Sequence, residues 1–290
     1  MRQIYLTLTL KKRLLLLMLL FVAAYMMVSV IGALVIMRYG TDSTPAMRIL
    51  TVVQDVVLFI FPAVAMAMMV TRTPAALLAL DCKPDRLFLL VAVVAMIASV
   101  PVMNLIVELN EMVPLPEKWE AVLRPLEDNA RHMIEVLEGA HTLPNLIMSV
   151  LIVAVLAGVS EELLFRGAFQ RLMATGGISA HTAVWVAAIV FSMLHLQFYG
   201  FVPRILLGAF LGYALLWGRS LWVPVILHAL NNTIYIVSQW ISGDEMNATG
   251  TVDFEDIAMA CVSAALCGVC IFFMYRVSKN ITKDNDEIPE

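Results

Sequence analysis

Long apolar runs separated by short polar segments set the pattern of this chain. The first run, Leu14 to Met37, has 24 residues and follows Lys11, Lys12 and Arg13. A cleavable leader has an apolar core of about 7–15 residues and a small-residue cleavage site. The longer run therefore reads as an uncleaved first span. Further runs predict spans over 49–70 and 87–107, then one from Leu143 through Glu161 and Glu162 that breaks at Thr175-Gly176-Gly177. Four more follow over 181–198, 202–217, 221–241 and 257–275. Each is near the ~20 residues a membrane-crossing helix needs. Between the third and fourth spans lies a Glu-rich stretch, 108–142. In it Trp119, Val122, Leu126, Met133 and Leu137 recur at three-to-four spacing. That period predicts an amphipathic helix over 117–138, either lying on the outer membrane surface or serving as a connecting helix.

Composition sharpens the picture. Hydrophobic residues make up 61% of the chain and charged ones 14%. Soluble domains run about 45–50% and about 25%. With a mean hydropathy of +0.87, a soluble enzyme, a disordered chain and a secreted disulfide scaffold are excluded. The expected fold is all-α: a polytopic membrane bundle of about eight transmembrane helices. Of the four cysteines, Cys261, Cys267 and Cys270 lie in an apolar run and Cys82 in a short loop. They form neither a disulfide framework nor a finger-type zinc site. The scattered positive charges resemble no nucleic-acid module, so no nucleic-acid partner is expected. Alternating eight spans from a cytoplasmic N-terminus puts 13 basic residues on the cytoplasmic side and 6 on the other. The positive-inside rule then places both termini in the cytoplasm. The expected location is a cell's inner (plasma) membrane, multi-pass.

Charged groups inside a bilayer cost at least about 2.5–3.5 kcal/mol on insertion scales, which makes them functional candidates. Three polar pairs at i,i+4 spacing stand out. Glu162 and Arg166 lie one turn apart and can pair, while Glu161 is rotated by about 100° toward another neighbour. One carboxylate is then held and the other left free for chemistry. A solvated ion pair at a helix end is the competing reading. Phe191 and His195 form the second pair, where His195 could equally be a satisfied core histidine. His228 and Asn232 form the third, where interhelical hydrogen bonding is the plain alternative. If Gly176-Gly177 is a bend between antiparallel helices, Glu161 and His195 each lie roughly 21 Å from it and reach similar depth.

These three pairs, in this order, resemble the CPBP intramembrane protease family, which includes CAAX endopeptidases and bacterial relatives linked to bacteriocin processing and immunity. The family pattern Glu-Glu-x-x-x-Arg, Phe-x-x-x-His, His-x-x-x-Asn is matched by Glu161-Glu162-x-x-x-Arg166, Phe191-x-x-x-His195 and His228-x-x-x-Asn232. Gly167 also fits the bacterial form. The resemblance covers about residues 143–240. It implies an intramembrane endopeptidase in which Glu161 and His195 activate a water. His228 and Asn232 would stabilise the oxyanion, Glu162 and Arg166 would hold the helix geometry, and Phe191 would pack beside the site. Two imidazoles and a carboxylate (Glu161, His195, His228) also suit zinc. No His-Glu-x-x-His is present, so the strongest sequence signal for zinc is missing. The cofactor expectation is therefore none, with zinc as the alternative.

The expected organisation is N-terminal spans plus the outer helix (1–142), a catalytic core (143–240), and an acidic outer loop, last span and cytoplasmic tail (241–290). The expected partners are a membrane-associated peptide or protein substrate, entering from the cytoplasm, and the lipid bilayer. A non-catalytic protein using the same residues as structural glue or a proton or ion path is the alternative. Four other features are expected to be structural. Asp55 could face the cavity, but pairing with a polar neighbour such as Gln54 or with another helix is the favoured reading. Gly208-x-x-x-Gly212 should allow close packing, Pro62 and Pro101 should kink their helices, and Trp217 and Trp222 should anchor a membrane interface.

Overall fold

The computed structural model describes residues 8–242 and 253–286, with side chains to residue 281. All regular structure among them is helical. The membrane helices are α1 (Leu10–Tyr39), α2 (Thr44–Val70), the bent pair α4 (Arg86–Ala98) and α5 (Val100–Glu111), α7 (Leu143–Thr175), α8 (Ala180–Leu194), α9 (Phe201–Gly218), α10 (Trp222–Ser242) and α11 (Phe254–Asp286). A short turn of helix, α3 (Pro74–Leu77), and the amphipathic α6 (Glu117–Glu138) connect them. Most of the acidic loop expected over 242–256 lies outside the described residues.

All eight expected apolar segments are helices, and their ends fall within about five residues of the apolar runs except at the tail of α11. Five are long and apolar enough to cross a membrane, or up to six when α4 and α5 count as one bent span. The expected count of eight is thus met only in part, for two physical reasons. With 15 residues, α8 spans about 22 Å, short of a ~30 Å hydrocarbon core. Helix α10 has the length but carries His228, Asn231, Asn232 and Gln239.

A bend is found at one of the two prolines expected to kink their helices, Pro101. Pro101 follows a 44° bend between α4 and α5. A proline breaks the backbone ladder there, and Ser263 of α11 repairs it. Its hydroxyl donates to the Ala98 carbonyl at 2.5 Å and accepts from the Val102 amide at 3.2 Å. Pro62 follows a π-helical turn, Asp55–Ile60, inside α2. Trp222 donates from its indole to the Leu80 carbonyl at 3.1 Å, tying the 219–222 turn to the loop after α3.

Small residues let the core helices close. A Cβ on Gly208 would sit 3.1 Å from Ala188 of α8, and one on Gly212 would sit 2.8 Å from Val184. This is the close packing expected of the Gly208/Gly212 pair. Gly158 does the same for α7 and α10: a Cβ there would lie 3.0 Å from the Ala229 backbone nitrogen. Backbone cannot step aside as a flexible side chain can, so a larger residue must push α10, with His228, off α7. Gly158→Val should therefore lower stability by about 1–3 kcal/mol. Gly268→Ala, with open space around it, should not. Thermal unfolding in detergent compares the two.

Candidate active site

The site begins with Arg166 and Glu162, one turn apart on α7. Arg166 Nη1 donates to Glu162 Oε1 at 2.6 Å, and neither side chain has any solvent exposure. A solvated pair at a helix end is thereby ruled out. Arg166 Nη2 donates to the Gly208 carbonyl at 3.0 Å, and its guanidinium carbon lies 4.7 Å from the centre of the Phe191 ring. Glu162 Oε1 also accepts from His228 Nδ1 at 2.8 Å. One ion pair therefore joins α7, α8, α9 and α10.

His228 is oriented by that bond. Its Nδ1 faces Glu162, and its Nε2 faces Glu161 Oε2 at 3.7 Å. Glu161 keeps 15% side-chain exposure, unlike its neighbour. The two adjacent carboxylates thus occupy different environments, as the 100° rotation between them predicts.

His195 sits just beyond the last turn of α8. Its Nδ1 lies 2.8 Å from the Phe191 carbonyl. A carbonyl only accepts, so Nδ1 carries the proton and the neutral ring presents a bare Nε2. His195 is within electrostatic range of both Glu161 and His228. Phe191 is the common floor, with its ring centre 4.8 Å from His195 and 5.9 Å from His228. Asn232 donates from Nδ2 to the Val153 carbonyl at 3.2 Å and accepts from Asn231 at 3.3 Å. Its second N–H is left for another acceptor. Among the described residues, no three His, Cys, Asp or Glu side chains are grouped so as to hold a metal ion.

Several residues near the site carry no signal in the three motifs. Asp55, on α2, is 2% exposed. It meets Ser160 of α7 rather than Gln54 and lies within electrostatic range of Glu161, while its Oδ2 has no hydrogen-bond partner among the described residues. Its helix is π-wound there, and α7 is π-wound over Val150–Leu156 and Leu163–Gln170, on either side of Glu161. Such turns concentrate at functional sites.

A second group holds the loop after His195. Asn110 of α5 donates to the Tyr199 and Phe198 carbonyls at 2.7 and 3.0 Å. The Tyr199 hydroxyl donates to Glu120 of α6 at 2.6 Å and accepts from Arg124 at 2.9 Å. The Tyr199 hydroxyl first, then Arg124, hold the Glu120 carboxyl below its usual range. Gln197 donates to Glu127 of α6 at 3.2 Å and accepts from Arg204 of α9 at 2.8 Å. The polar face of α6 is thus bound to the His195 loop, while Trp119 and Val122 on it stay exposed.

Access to the site is one-sided. From Glu162 to Met173, α7 is buried except at Phe169 and Arg171. On α10, Val223, Pro224, Val225, Leu227 and His228 are buried, but beyond His228 only Ile236 is buried as far as Trp240. The half of the bundle toward Gly176 and the α9–α10 turn is therefore closed.

Buried carboxylates and imidazoles gathered from separate membrane helices are the equipment of a membrane-embedded hydrolase. Residues 143–234, from α7 into α10, match the family model described as Type II CAAX prenyl endopeptidase Rce1-like. The match falls on the segment that carries all three motifs and is consistent with the CPBP/CAAX protease family. Neither the curated proteins nor the solved structures gave a match to the chain.

Removing one partner of a fully buried ion pair costs about 3–5 kcal/mol, because the other charge is left uncompensated. Arg166→Met should lose stability on that scale. The double variant Arg166→Met/Glu162→Gln should recover part of the loss, and unfolding of the purified proteins reads both.

Proposed function

We propose that the chain is an intramembrane endopeptidase that hydrolyses a peptide bond in a membrane-associated protein or peptide, with Glu161 as general base. The observation that carries this reading is the division of labour between the two adjacent glutamates. Glu162 is buried and committed through its Oε1 to Arg166 and His228, whereas Glu161 is partly exposed and faces His228 Nε2 at 3.7 Å.

The chemistry follows from the assigned protons. A water between Glu161 and the bare Nε2 of His195 gives up a proton to the carboxylate, and its oxygen attacks the scissile carbonyl carbon. The carbonyl oxygen becomes an oxyanion. The free N–H of Asn232 can donate to it. His228, whose Nδ1 is bound to Glu162, can donate from Nε2 when that nitrogen also carries a proton. Donors fixed before reaction are worth most in such an enclosed site. The tetrahedral intermediate collapses as the C–N bond breaks. Glu161 then returns its proton to the departing amine, so a carboxylic acid and an amine leave and the enzyme is restored. We place no metal in this sequence. The eight-helix arrangement with both termini in the cytoplasm belongs to the same proposal, as does an inner-membrane location.

The test is cleavage of a fluorogenic peptide panel, with and without a lipid chain, by purified protein in liposomes. Glu161→Ala should lose at least about 100-fold in rate, the low end for a general base, with an unchanged unfolding temperature. Activity should survive a chelator. A Glu161→Ala protein that is markedly less stable, with no peptide cut by the wild type, would favour a structural or proton-conducting role. Chelator-sensitive activity restored by zinc would overturn the metal-free form.

A further inference from the structure

We propose that the N-terminal half of α6 docks into the lipid interface and that this contact holds in place the loop that follows His195. The docking stands apart from the endopeptidase reading, and only its effect on catalysis rests on that reading.

The helix presents three different sectors. Glu120 and Glu127 meet the loop after His195, through the Tyr199 hydroxyl at 2.6 Å and the Gln197 amide at 3.2 Å. At 100° per residue, the stripe of Trp119, Val122 and Leu126 lies roughly 115° round the helix from them. Trp119 is 59% exposed and Val122 58%. Asp128 and Glu135 stand opposite that stripe, and both are exposed. A protein side, an apolar side and a charged side are what a helix lying along a membrane boundary needs.

The other half of α6 shows what the stripe packs on. There it runs on into Met133 and Leu137. Leu137 and Val136 are buried against Ala46 and Met47 of α2, with Met133 packed beside them. Arg48 of α2 fixes that end by donating to the Leu137 and Glu138 carbonyls at 2.9 and 3.0 Å. One stripe is thus seated on a membrane helix over its last turns and open over its first ones.

The neighbouring chain identifies the occupant of the open part. Leu109, Met112 and Val113 at the end of α5 are exposed, and so are Leu143, Ile147 and Met148 at the start of α7. These belong to the membrane helices that α6 joins, so the stripe continues a lipid-facing apolar belt. Tryptophan favours the headgroup level. Helix α6 carries six acidic residues against three basic ones, so apolar insertion rather than attraction to anionic lipid seats it. If α6 lifts from the lipid, Glu120 and Glu127 withdraw from Tyr199 and Gln197, and the loop that begins at His195 loses its brace.

The test reads docking and bracing separately in the full chain. Cys82, Cys261, Cys267 and Cys270 are replaced by alanine, and Val122→Cys or Asp128→Cys carries an environment-sensitive fluorophore. The proteins are placed at high dilution in phosphatidylcholine liposomes, with iodide on both sides. The Val122→Cys probe should be quenched by lipid spin-labelled near the headgroup and shielded from iodide, and the Asp128→Cys probe should behave the opposite way. Iodide reaching both probes alike overturns the docking. Shielding of the Val122→Cys probe from both quenchers means that protein covers the stripe, and overturns it too. A requirement for anionic lipid overturns its apolar basis.

Hydrogen exchange reads the brace, since the His195, Leu196 and Phe201 amides are hydrogen-bonded in this loop. Trp119→Gln/Val122→Gln should exchange the 195–201 amides roughly tenfold faster at an unchanged unfolding temperature. Tyr199→Phe, which cuts the tether, should do the same while leaving the Val122→Cys probe in lipid. Unchanged exchange in either variant overturns the brace. Peptide turnover should fall in both. If the wild type cleaves no peptide, the endopeptidase reading fails, and quenching and exchange still decide the role of α6.

Discussion

The fully buried pair between Arg166 and Glu162 is the constraint on which the rest of the core depends. Taking two charges out of water costs several kcal/mol each, and only good geometry with further hydrogen bonds offsets it. The geometry here draws on four helices. The Gly208 carbonyl must come within reach of the guanidinium, which explains why α9 has no side chain at that point. The Phe191 ring covers the cation. His228 completes Glu162. A shift of any of these helices by one residue would strand a charge in the core. Buried ion pairs add little net stability, but they fix register. Here the register they fix is that of His228 Nε2 against Glu161.

Register alone does not place His195, because α8 ends one residue before it. A histidine at the end of a short helix would swing with its loop. Two devices remove that freedom. Nδ1 is bound to the carbonyl one turn back, and the loop itself is held from α5, α6 and α9 through Asn110, Glu120, Glu127 and Arg204. The amphipathic helix therefore does more than lie on a membrane. Its apolar face carries Trp119 and Val122 outward, and its polar face braces the loop that follows His195.

The parts of this structure that were legible in the sequence are those governed by local pattern. Apolar runs gave eight helices, the period over 117–138 gave α6, and Gly176-Gly177 gave the turn before α8. The i,i+4 spacing gave the Arg166–Glu162 contact, because neighbours on one helix follow from the helix alone. What a residue meets on another helix is not encoded locally. Spacing could not show that this ion pair is buried rather than solvated, nor that Asp55 faces Ser160 instead of Gln54. The clamp of Asn110 and Tyr199 joins positions about ninety residues apart. Single polar residues in a connecting segment carry no period, so nothing marked them. The π-turns were equally silent, since one extra residue in a helix leaves the apolar pattern almost unchanged.

Asp55 shows that the site extends beyond the matched segment. It comes from α2, before residue 143, and it is almost completely buried. A carboxyl group in a membrane span is costly and normally has a cation or a functional reason. The hydroxyl of Ser160, the residue immediately before Glu161, is the polar group it meets on α7. With one oxygen unpartnered, the group is poorly satisfied as a structural element. Removing it would leave a smaller, less polar contact and should cost the fold little. A polar residue whose loss would not harm packing is better explained by the carboxylate beside it. Asp55 lies within electrostatic range of Glu161, so the N-terminal helices contribute to the environment of the carboxylate proposed as the general base.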